Sequence, residues 1–319
     1  MRSEQLWPRW PRAFPTLGVS GQLKQTPEDF RVTELAEPVA DPAGEHLYLY
    51  VQKRNLSTQV VAERMANNLG LHRSEVGYAG MKDFRAVTCQ WFSVPIAGSP
   101  EIDYGDGVQE LRRLRCLKKL RRGQLDGNAF DIRLTRLAGG DHAALTDRLD
   151  LLTEEGAPNY FGPQRFGRDN LSQALAWLPF RRRERNGFRR GLHLSVLRSF
   201  LFNEVLAARV GQSNWHRCLA GEQEPAGPLW GRGRSPAQAD VLELESQVLE
   251  EHAELLEALE FTGLTQARRS LALRPQELDW SVIDDVVHLK FVLPPGTYAT
   301  ALLRELGEFE TASESRERI

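Results

Sequence analysis

The stretch GYAGMKDFRAVTCQWFSV, residues 77–94, joins a glycine-containing loop to a run of β-branched and aromatic residues. The run from Ala86 to Val94 predicts a β-strand, because such side chains favour the extended conformation and no turn residue interrupts them. The loop before it holds a single acid, Asp83, between Lys82 and Arg85. The stretch therefore predicts a carboxylate presented at the entrance to a strand.

Two interpretations of this carboxylate are open. Lys82 and Arg85 would favour the ionised form, which suits a nucleophile or a charge stabiliser better than a general acid. Gly77 and Gly80 would let the backbone approach a bulky substrate, since glycine lacks a Cβ. The alternative is an ordinary Lys–Asp–Arg turn on the surface, and on local spacing alone that turn is the simpler explanation.

The hydrophobic pattern on both sides of this stretch predicts the fold class. Alternating apolar residues predict strands at 46–53, 128–136 and 286–296. A capped helix is expected between Ser57 and Gly70, and from about Asn170 to Arg274 the apolar spacing becomes helical. The sequence therefore predicts a discontinuous α+β domain, with a mixed or antiparallel sheet flanked by helices, and a mostly helical insertion.

Composition excludes several classes of protein. With 41% hydrophobic and 26% charged residues, the 319-residue chain has the balance of a globular protein, and no apolar run is long enough for a membrane helix. The N-terminal segment lacks the apolar run of a signal peptide, so we expect a cytoplasmic location. The cysteines and histidines have neither disulfide nor zinc-site spacing, so no metal site is expected.

Charge is segregated along the chain although its formal sum is only −2. Residues 112–136 carry nine Lys or Arg against two acids, residues 180–198 carry seven Arg against one acid, and residues 240–260 are acidic. Such basic clusters predict a surface that binds a polyanion, although charge runs are often only solvated faces. The run RRLRCLKKLRRG, residues 112–123, could form either a helix or a strand edge. The candidates for contacts with the backbone of such a polyanion are Arg121, Arg122, Arg181, Arg182 and Arg183.

The segment PNYFGPQRFGR, residues 158–168, mixes aromatic side chains with glycine and arginine. Phe161 and Arg165 could stack on unpaired bases and hold phosphates, or the segment could be a domain junction with aromatics filling a hinge. Phe130 also has two interpretations. By default it is a core residue, and if it lies near the carboxylate it could stack on a base of the substrate.

Eight segments, taken in their order and spacing, resemble the TruD family of tRNA pseudouridine synthases. The resemblance covers nearly the whole chain, and only the helical middle is short for the family. The segments are LKQTPEDFRVTE (23–34), GEHLYLYVQKRNLST (44–58), GYAGMKDFRAVTCQWFSV (77–94), GNAFDIRL (127–134), PNYFGPQRFGR (158–168), LRSFLFNEVLAARV (197–210), GPLWGRG (227–233) and FVLPPGTYATALLRE (291–305).

The resemblance implies conversion of uridine to pseudouridine at position 13 of certain tRNAs, with no cofactor. It also implies a V-shaped molecule, with a catalytic pseudouridine synthase domain at residues 1–156 and 276–319 and an inserted TruD domain at 157–275. Asp83 falls on the catalytic aspartate of the family. The substrate-binding residues that the resemblance and the local patterns indicate are Lys24, Gly80, Lys82, Asn128, Phe130, Phe161 and Arg165.

The expected chemistry leaves the role of the carboxylate open. The N1–C1′ bond must break and C5 must bond to C1′, and Asp83 could attack C1′, stabilise its positive charge or take a proton from C2′. The target uridine must first leave its stack, which calls for an aromatic pocket, and Phe130 is the candidate surface. Competing hypotheses are a non-catalytic RNA-binding protein of the same fold and a hydrolase that releases free uracil. We expect a monomer with tRNA as its partner.

Overall fold

The computed structural model describes residues 9–167, 169–180 and 186–311. The chain divides into two compact units. The first, here called the helical unit, contains residues 9–17 together with the described residues of Asp147–Arg274 and Thr297–Leu306. The second, here called the sheet unit, contains Gly18–Thr146, Pro275–Gly296 and residues 307–311. The segments 9–17 and 297–306 thus pack with residues on the far side of the predicted domain boundaries.

Fourteen strands and eight α-helices are found in the described part of the chain, with short 3-10 turns between some of them. The strands are β1 Ser20–Leu23, β2 Phe30–Leu35, β3 His46–Arg54, β4 Gly77–Tyr78, β5 Val87–Val94, β6 Val108–Cys116, β7 Gly127–Ala138, β8 Ala157–Pro158, β9 Ala226–Leu229, β10 Ala267–Ser270, β11 Ala272–Leu273, β12 Gln276–Ile283, β13 Val286–Leu293 and β14 Glu308–Thr311. The helices are α1 Thr58–Leu69, α2 His142–Glu154, α3 Pro163–Phe166, α4 Asn170–Trp177, α5 Gly187–Gly211, α6 Ala239–Leu249, α7 Ala253–Glu260 and α8 Ala299–Arg304.

The sheet unit is built on one ten-stranded mixed sheet. Its main path runs β12-β13-β7-β2-β5-β3-β6, with β1 joined to β7 and β14, and β4 joined to β5. The β2–β5 and β1–β14 pairs are parallel and the other pairs are antiparallel. Helix α1 packs its apolar face, including Val61 and Met65, against Leu49 and Phe92 of the sheet. Ser57 caps α1 by accepting a hydrogen bond from Val60 N, and Gly70 ends it in the left-handed conformation.

The helical unit is organised around α5, a helix of 25 residues. Its inward face lies in one apolar core with aromatic side chains from the other segments of the unit. Trp10 stacks on Tyr160 at 5.9 Å between ring centroids, and Phe161 contacts Phe202 of α5 edge to face. In the described ranges of the chain, no helix is both long and apolar enough to cross a bilayer.

The α+β prediction with a mixed sheet is confirmed, and so are the predicted strands β3, β5, β7 and β13. Three differences have physical causes. The basic run at residues 112–123 is the end of the edge strand β6 followed by a turn, so the helical alternative is wrong. Strand β12 was not predicted, although Leu278, Trp280 and Val282 alternate with polar residues; it is an edge strand, and none of its residues is fully buried. The helical prediction for 170–274 is wrong at β10 and β11, which are too short to show a period.

Candidate active site

Asp83 presents its carboxylate on the loop that leads into β5. Its side chain is 46% exposed, and its Oδ1 lies 2.6 Å from Nζ of Lys24. Lys24 is only 12% exposed and comes from the turn after β1. The same Nζ lies 3.9 Å from the ring centroid of Phe30, which is a cation–π distance. The carboxylate is therefore paired with a mostly buried ammonium on one side and faces solvent on the other.

The loop that carries Asp83 is fixed by buried polar side chains. Lys82 N donates to Oγ1 of Thr58 at 3.0 Å, and that hydroxyl donates to Oε1 of Gln90 at 2.8 Å. Gln90 Nε2 donates in turn to the carbonyl of Gly80 at 3.1 Å. Thr58 and Gln90 are both completely buried, on α1 and β5. The loop backbone is therefore held by regular elements on two sides, as a precise catalytic geometry requires.

Lys53 lies beneath the same loop. Its side chain is completely buried, and Nζ donates to the carbonyls of Leu56 and Asp83, both at 2.7 Å. Burial lowers the pKa of Lys53 to about 8, against the opposing effect of the Asp83 charge. Lysine is rarely buried without a carboxylate partner. One of its hydrogen bonds holds the main chain of Asp83 itself, and the other ties Lys53 to Leu56, just before α1.

Lys82, one of the two cations next to Asp83 in the sequence, has its ammonium bound to Glu34 and Asn128. Its Nζ lies 2.7 Å from Oε2 of Glu34 and donates to Oδ1 of Asn128 at 2.7 Å. Glu34 is buried and accepts a hydrogen bond from Trp91 N at 3.1 Å. The Lys82 side chain therefore points toward β2 and β7 and not toward the Asp83 carboxylate. Arg85, the other predicted neighbour, donates to the Gln25 carbonyl at 2.7 Å.

Three phenylalanines from adjacent strands form an aromatic group beside this network. Phe130 of β7 stacks on Phe291 of β13 at 5.2 Å and meets the edge of Phe30 of β2 at 6.1 Å. All three are buried, with Phe130 the most accessible of them at 8%. Since Lys24 Nζ touches both Phe30 and Asp83, the aromatic group and the carboxylate belong to one site.

The two loop glycines have different environments. A Cβ on Gly77 would lie 2.4 Å from the Leu120 carbonyl oxygen, so the close approach that this glycine permits is to the protein's own backbone. A Cβ on Gly80 would meet no atom within 4 Å. The prediction that both glycines open the loop toward a substrate is therefore wrong for Gly77, and Gly80 alone has open space beside it.

The predicted backbone-contact arginines fall in two categories. Arg121 and Arg122 line a cleft of about 620 Å³ in the sheet unit, together with Arg73, Lys119 and the half-buried Tyr78. Gly123 N, two residues after Arg121, donates to the Ala79 carbonyl at 2.8 Å, which ties this cleft to the Asp83 loop. The other candidates, Arg181, Arg182 and Arg183, lie outside the described residues.

Phe161 and Arg165 belong to the helical unit. Phe161 is buried, and its ring lies 4.1 Å from Cζ of Arg269. Arg165 donates to Ser195 Oγ at 2.8 Å and to the Tyr298 hydroxyl at 2.6 Å. Within the described ranges, no group of three or more His, Cys, Asp or Glu side chains could hold a metal ion.

Sequence reasoning missed several residues of the site, and for some of them a signal existed. Lys53 occupies one of the buried positions of β3, in alternation with more exposed ones, as Leu49 and Val51 do. A lysine at such a position indicates a special role. Phe30 and Phe291 occupy apolar positions on β2 and β13, the two strands that flank β7. Only the sheet order brings them together with Phe130.

Comparison with known proteins connects this geometry to a family. The family model for tRNA pseudouridine synthase D (TruD) matches residues 12–175 and 215–306, which is more than half of the chain and includes Lys24, Asp83 and Phe130. The chain belongs to the TruD family. A protein named tRNA pseudouridine synthase D from Cellvibrio japonicus is 42% identical, over 93% of this chain and 92% of the relative. One of the same name from Nitrosococcus oceani is 40% identical, over 89% of each.

A solved structure extends the comparison to the fold. The chain superposes on a crystal structure described as a TruD protein of Methanosarcina mazei with a TM-score of 0.65, covering 93% of this chain and 95% of the other. Sequence identity is only 20%, so this likeness concerns the fold alone. The fold is that of the TruD family, with its large mixed sheet flanked by helices.

Proposed function

We propose that this chain isomerises uridine to pseudouridine in tRNA, with position 13 as the target and Asp83 as the group that acts on the ribose. Membership of the TruD family supports the reaction and the substrate class. The observation that carries the role of Asp83 is its half-exposed carboxylate, paired with Lys24 at 2.6 Å and placed on a loop fixed by buried hydrogen bonds.

The aromatic group of Phe30, Phe130 and Phe291 forms one wall of the uridine site in this proposal. A base that leaves its stack loses stacking energy of a few kcal/mol, and an aromatic wall offsets part of that loss. The Lys24 ammonium lies between this wall and Asp83, so it holds the carboxylate toward the sugar. An ionised carboxylate there can attack C1′, stabilise its positive charge or accept the C2′ proton, and each role requires the same position.

In this proposal the sheet unit carries the catalytic site, and residues 157–275, nearly all of which belong to the helical unit, form the inserted TruD domain. Arg121 and Arg122, in the basic cleft next to the Asp83 loop, bind the tRNA backbone. Asn128 and Lys82 support the site from β7 and the loop, since their side chains are hydrogen-bonded to each other. The chain works as a monomer in the cytoplasm, and light scattering of the purified protein would test the monomeric state.

Tritium release from tRNA labelled at uridine C5 tests the reaction. The parent should release tritium, and Asp83→Ala should release none while it still binds tRNA. Mapping of pseudouridine by carbodiimide modification and primer extension then tests position 13. Absence of release by a folded parent would overturn the proposal in favour of RNA binding alone, and release of free uracil would indicate a hydrolase.

A further inference from the structure

The helical unit contains a cavity of about 360 Å³ whose wall is one face of helix α5. Gly191, Leu194, Ser195 and Arg198 recur at three- and four-residue spacing, so their side chains share that face. Further lining residues come from other segments of the unit: Phe161, Arg165, Leu229 and Leu264. The cavity thus combines an apolar floor with two arginines and the hydroxyl of Ser195.

The two arginines are held by neutral partners. Arg165 donates to Ser195 Oγ at 2.8 Å and to the Tyr298 hydroxyl at 2.6 Å. Arg198 donates through Nη2 to the carbonyls of Leu229 and Thr265, at 2.6 and 2.9 Å. The Nε of each arginine is buried and has no hydrogen-bond partner in the described ranges. The backbone carbonyls and hydroxyls therefore orient the guanidinium groups and leave donor capacity unused.

The positive charge of these two arginines lacks a negative counterpart. Neither Arg165 nor Arg198 forms an ion pair with a carboxylate of the described chain. A third guanidinium lies close, because Arg269 packs on the Phe161 ring at 4.1 Å. Burial lowers the pKa of Arg198, and burial together with the Arg165 charge lowers the pKa of Arg269 to about 10. Arg165 and Arg198 are half-buried, and burial of a charge is costly unless an opposite charge joins it.

The glycine at position 191 indicates independently that the cavity is open to a ligand. It lies inside α5, where glycine disfavours the helix relative to alanine. A Cβ at this position would meet no atom within 4 Å, so packing does not require the glycine. The residue lines the cavity and is exposed. Its effect is to leave the approach to Arg165 and Arg198 free of a side chain.

We propose that this cavity binds a phosphate group of the tRNA backbone, with Arg165 and Arg198 supplying the charged donors. The planar guanidinium fork matches the geometry of phosphate oxygens, and Ser195 adds a hydroxyl. That the phosphate belongs to tRNA rests on the function proposed above. Inorganic phosphate has the same chemistry, and the experiment separates the two sources.

The experiment measures tritium release against tRNA concentration at several salt concentrations. In Arg198→Gln we expect KM to rise about tenfold with little change in kcat, and the slope of log KM against log salt to fall by about one. Gly191→Glu should give the same result with both arginines still present, because its carboxylate neutralises the guanidinium groups and repels phosphate, and its backbone conformation is ordinary. Gly191→Ala and the exposed Arg274→Gln are matched controls with parental values.

The outcomes separate this proposal from the function it rests on. If the parent releases tritium while Arg198→Gln and Gly191→Glu keep its KM and salt slope, the phosphate site is refuted and the synthase function stands. If the parent is inactive, filter binding of tRNA by the same four variants still tests the site. If inorganic phosphate raises the melting temperature of the parent but not of Arg198→Gln, while tRNA affinity is equal in both, the cavity holds free phosphate and the backbone proposal is wrong.

Discussion

Lys24 reaches the carboxylate of Asp83 from a left-handed backbone conformation: its φ is 60°, and its Nζ lies 2.6 Å from Asp83 Oδ1. Residues with a Cβ adopt this conformation at a cost of about 1–2 kcal/mol, and such strain is concentrated at functional sites. The strained position turns the chain between β1 and the 3-10 turn Pro27–Asp29, which directs the side chain over Phe30. The geometry of the ion pair therefore depends on a backbone that glycine would adopt more easily.

Replacement of Lys24 should separate stability from activity. We expect Lys24→Gly to have a higher free energy of unfolding than Lys24→Ala, by about 1 kcal/mol, because only glycine relieves the strain at this φ. Both variants should lose about 10²-fold in kcat, since neither holds the Asp83 carboxylate. Urea denaturation and tritium release measure the two effects. Equal stability of the two variants would contradict the strain argument, and parental kcat would contradict the role of the ion pair.

Lys53 predicts a particular dependence of stability on pH. Its pKa is about 8 in the folded state and 10.5 ordinarily, so between these values the unfolded chain binds more protons and stability rises with pH. Below pH 8 the folded protein carries the full free-energy cost of burying the charged Lys53 side chain, which is about 3 kcal/mol. Lys53→Met should abolish this rise between pH 8 and 10.5, and it should lower kcat because the Asp83 carbonyl loses its donor. The exposed Lys118→Met is the control, and it should keep the parental pH curve and kcat.

The ion pair of Lys82 and Glu34 should be sensitive to the loss of one partner. Lys82→Met leaves the Glu34 carboxylate buried without its cation, which should cost about 3–5 kcal/mol of unfolding free energy. The double variant Lys82→Met with Glu34→Gln should recover part of that loss. Arg54→Met, which breaks an exposed pair with Glu28, should change stability little. If Lys82→Met and Arg54→Met lose similar amounts of unfolding free energy, burial of the Lys82–Glu34 pair is not what makes it sensitive.

The basic cleft beside the Asp83 loop should contribute to tRNA affinity through charge. Arg121→Gln and Arg122→Gln should each raise KM and reduce the slope of log KM against log salt by about one, if each arginine neutralises one phosphate. Circular dichroism should remain parental, because both side chains are exposed. The measurement is the salt series of tritium-release kinetics. A parental salt slope in the double variant would remove this cleft from the binding surface.

Gly77 and Gly80 should differ in tolerance to alanine. Gly77→Ala places a Cβ 2.4 Å from the Leu120 carbonyl, and we expect it to lose about 1–3 kcal/mol of stability. Gly80→Ala has open space and should unfold like the parent. Thermal denaturation of both variants checks the difference, and a stable Gly77→Ala would show that the Leu120 turn can move.

Elements with a clear period could be predicted from the sequence, and the residues brought together by the sheet order could not. The alternation of β7 and the capping residues of α1 identified those elements correctly. Local sequence showed Lys82 and Arg85 as the cations next to Asp83, and only the family resemblance indicated Lys24, the distant residue that makes the ion pair. Local sequence gives the charge near a group, but the direction of a side chain depends on which strand its loop faces.

The same limit applies to Phe291 and Lys53. Phe291 reaches the site only because β13 pairs with β7 in a register that places it opposite Phe130. The sequence shows Lys53 as a charged residue at a position of β3 where the alternation predicts burial. Its acceptors are main-chain carbonyls, which no residue pattern reveals. Backbone hydrogen bonds and long-range register are therefore the part of the site that sequence reasoning could not reach.

The pairing of β7 with β13 has a consequence for synthesis on the ribosome. Between these strands the ribosome must translate the whole of α2 to α7, which at typical elongation rates takes about ten seconds or more. During that interval one edge of β7 lacks its partner, and Phe130 lacks Phe291. An open strand edge invites aggregation. The aromatic wall therefore cannot form during synthesis until β13 has emerged, well after β7.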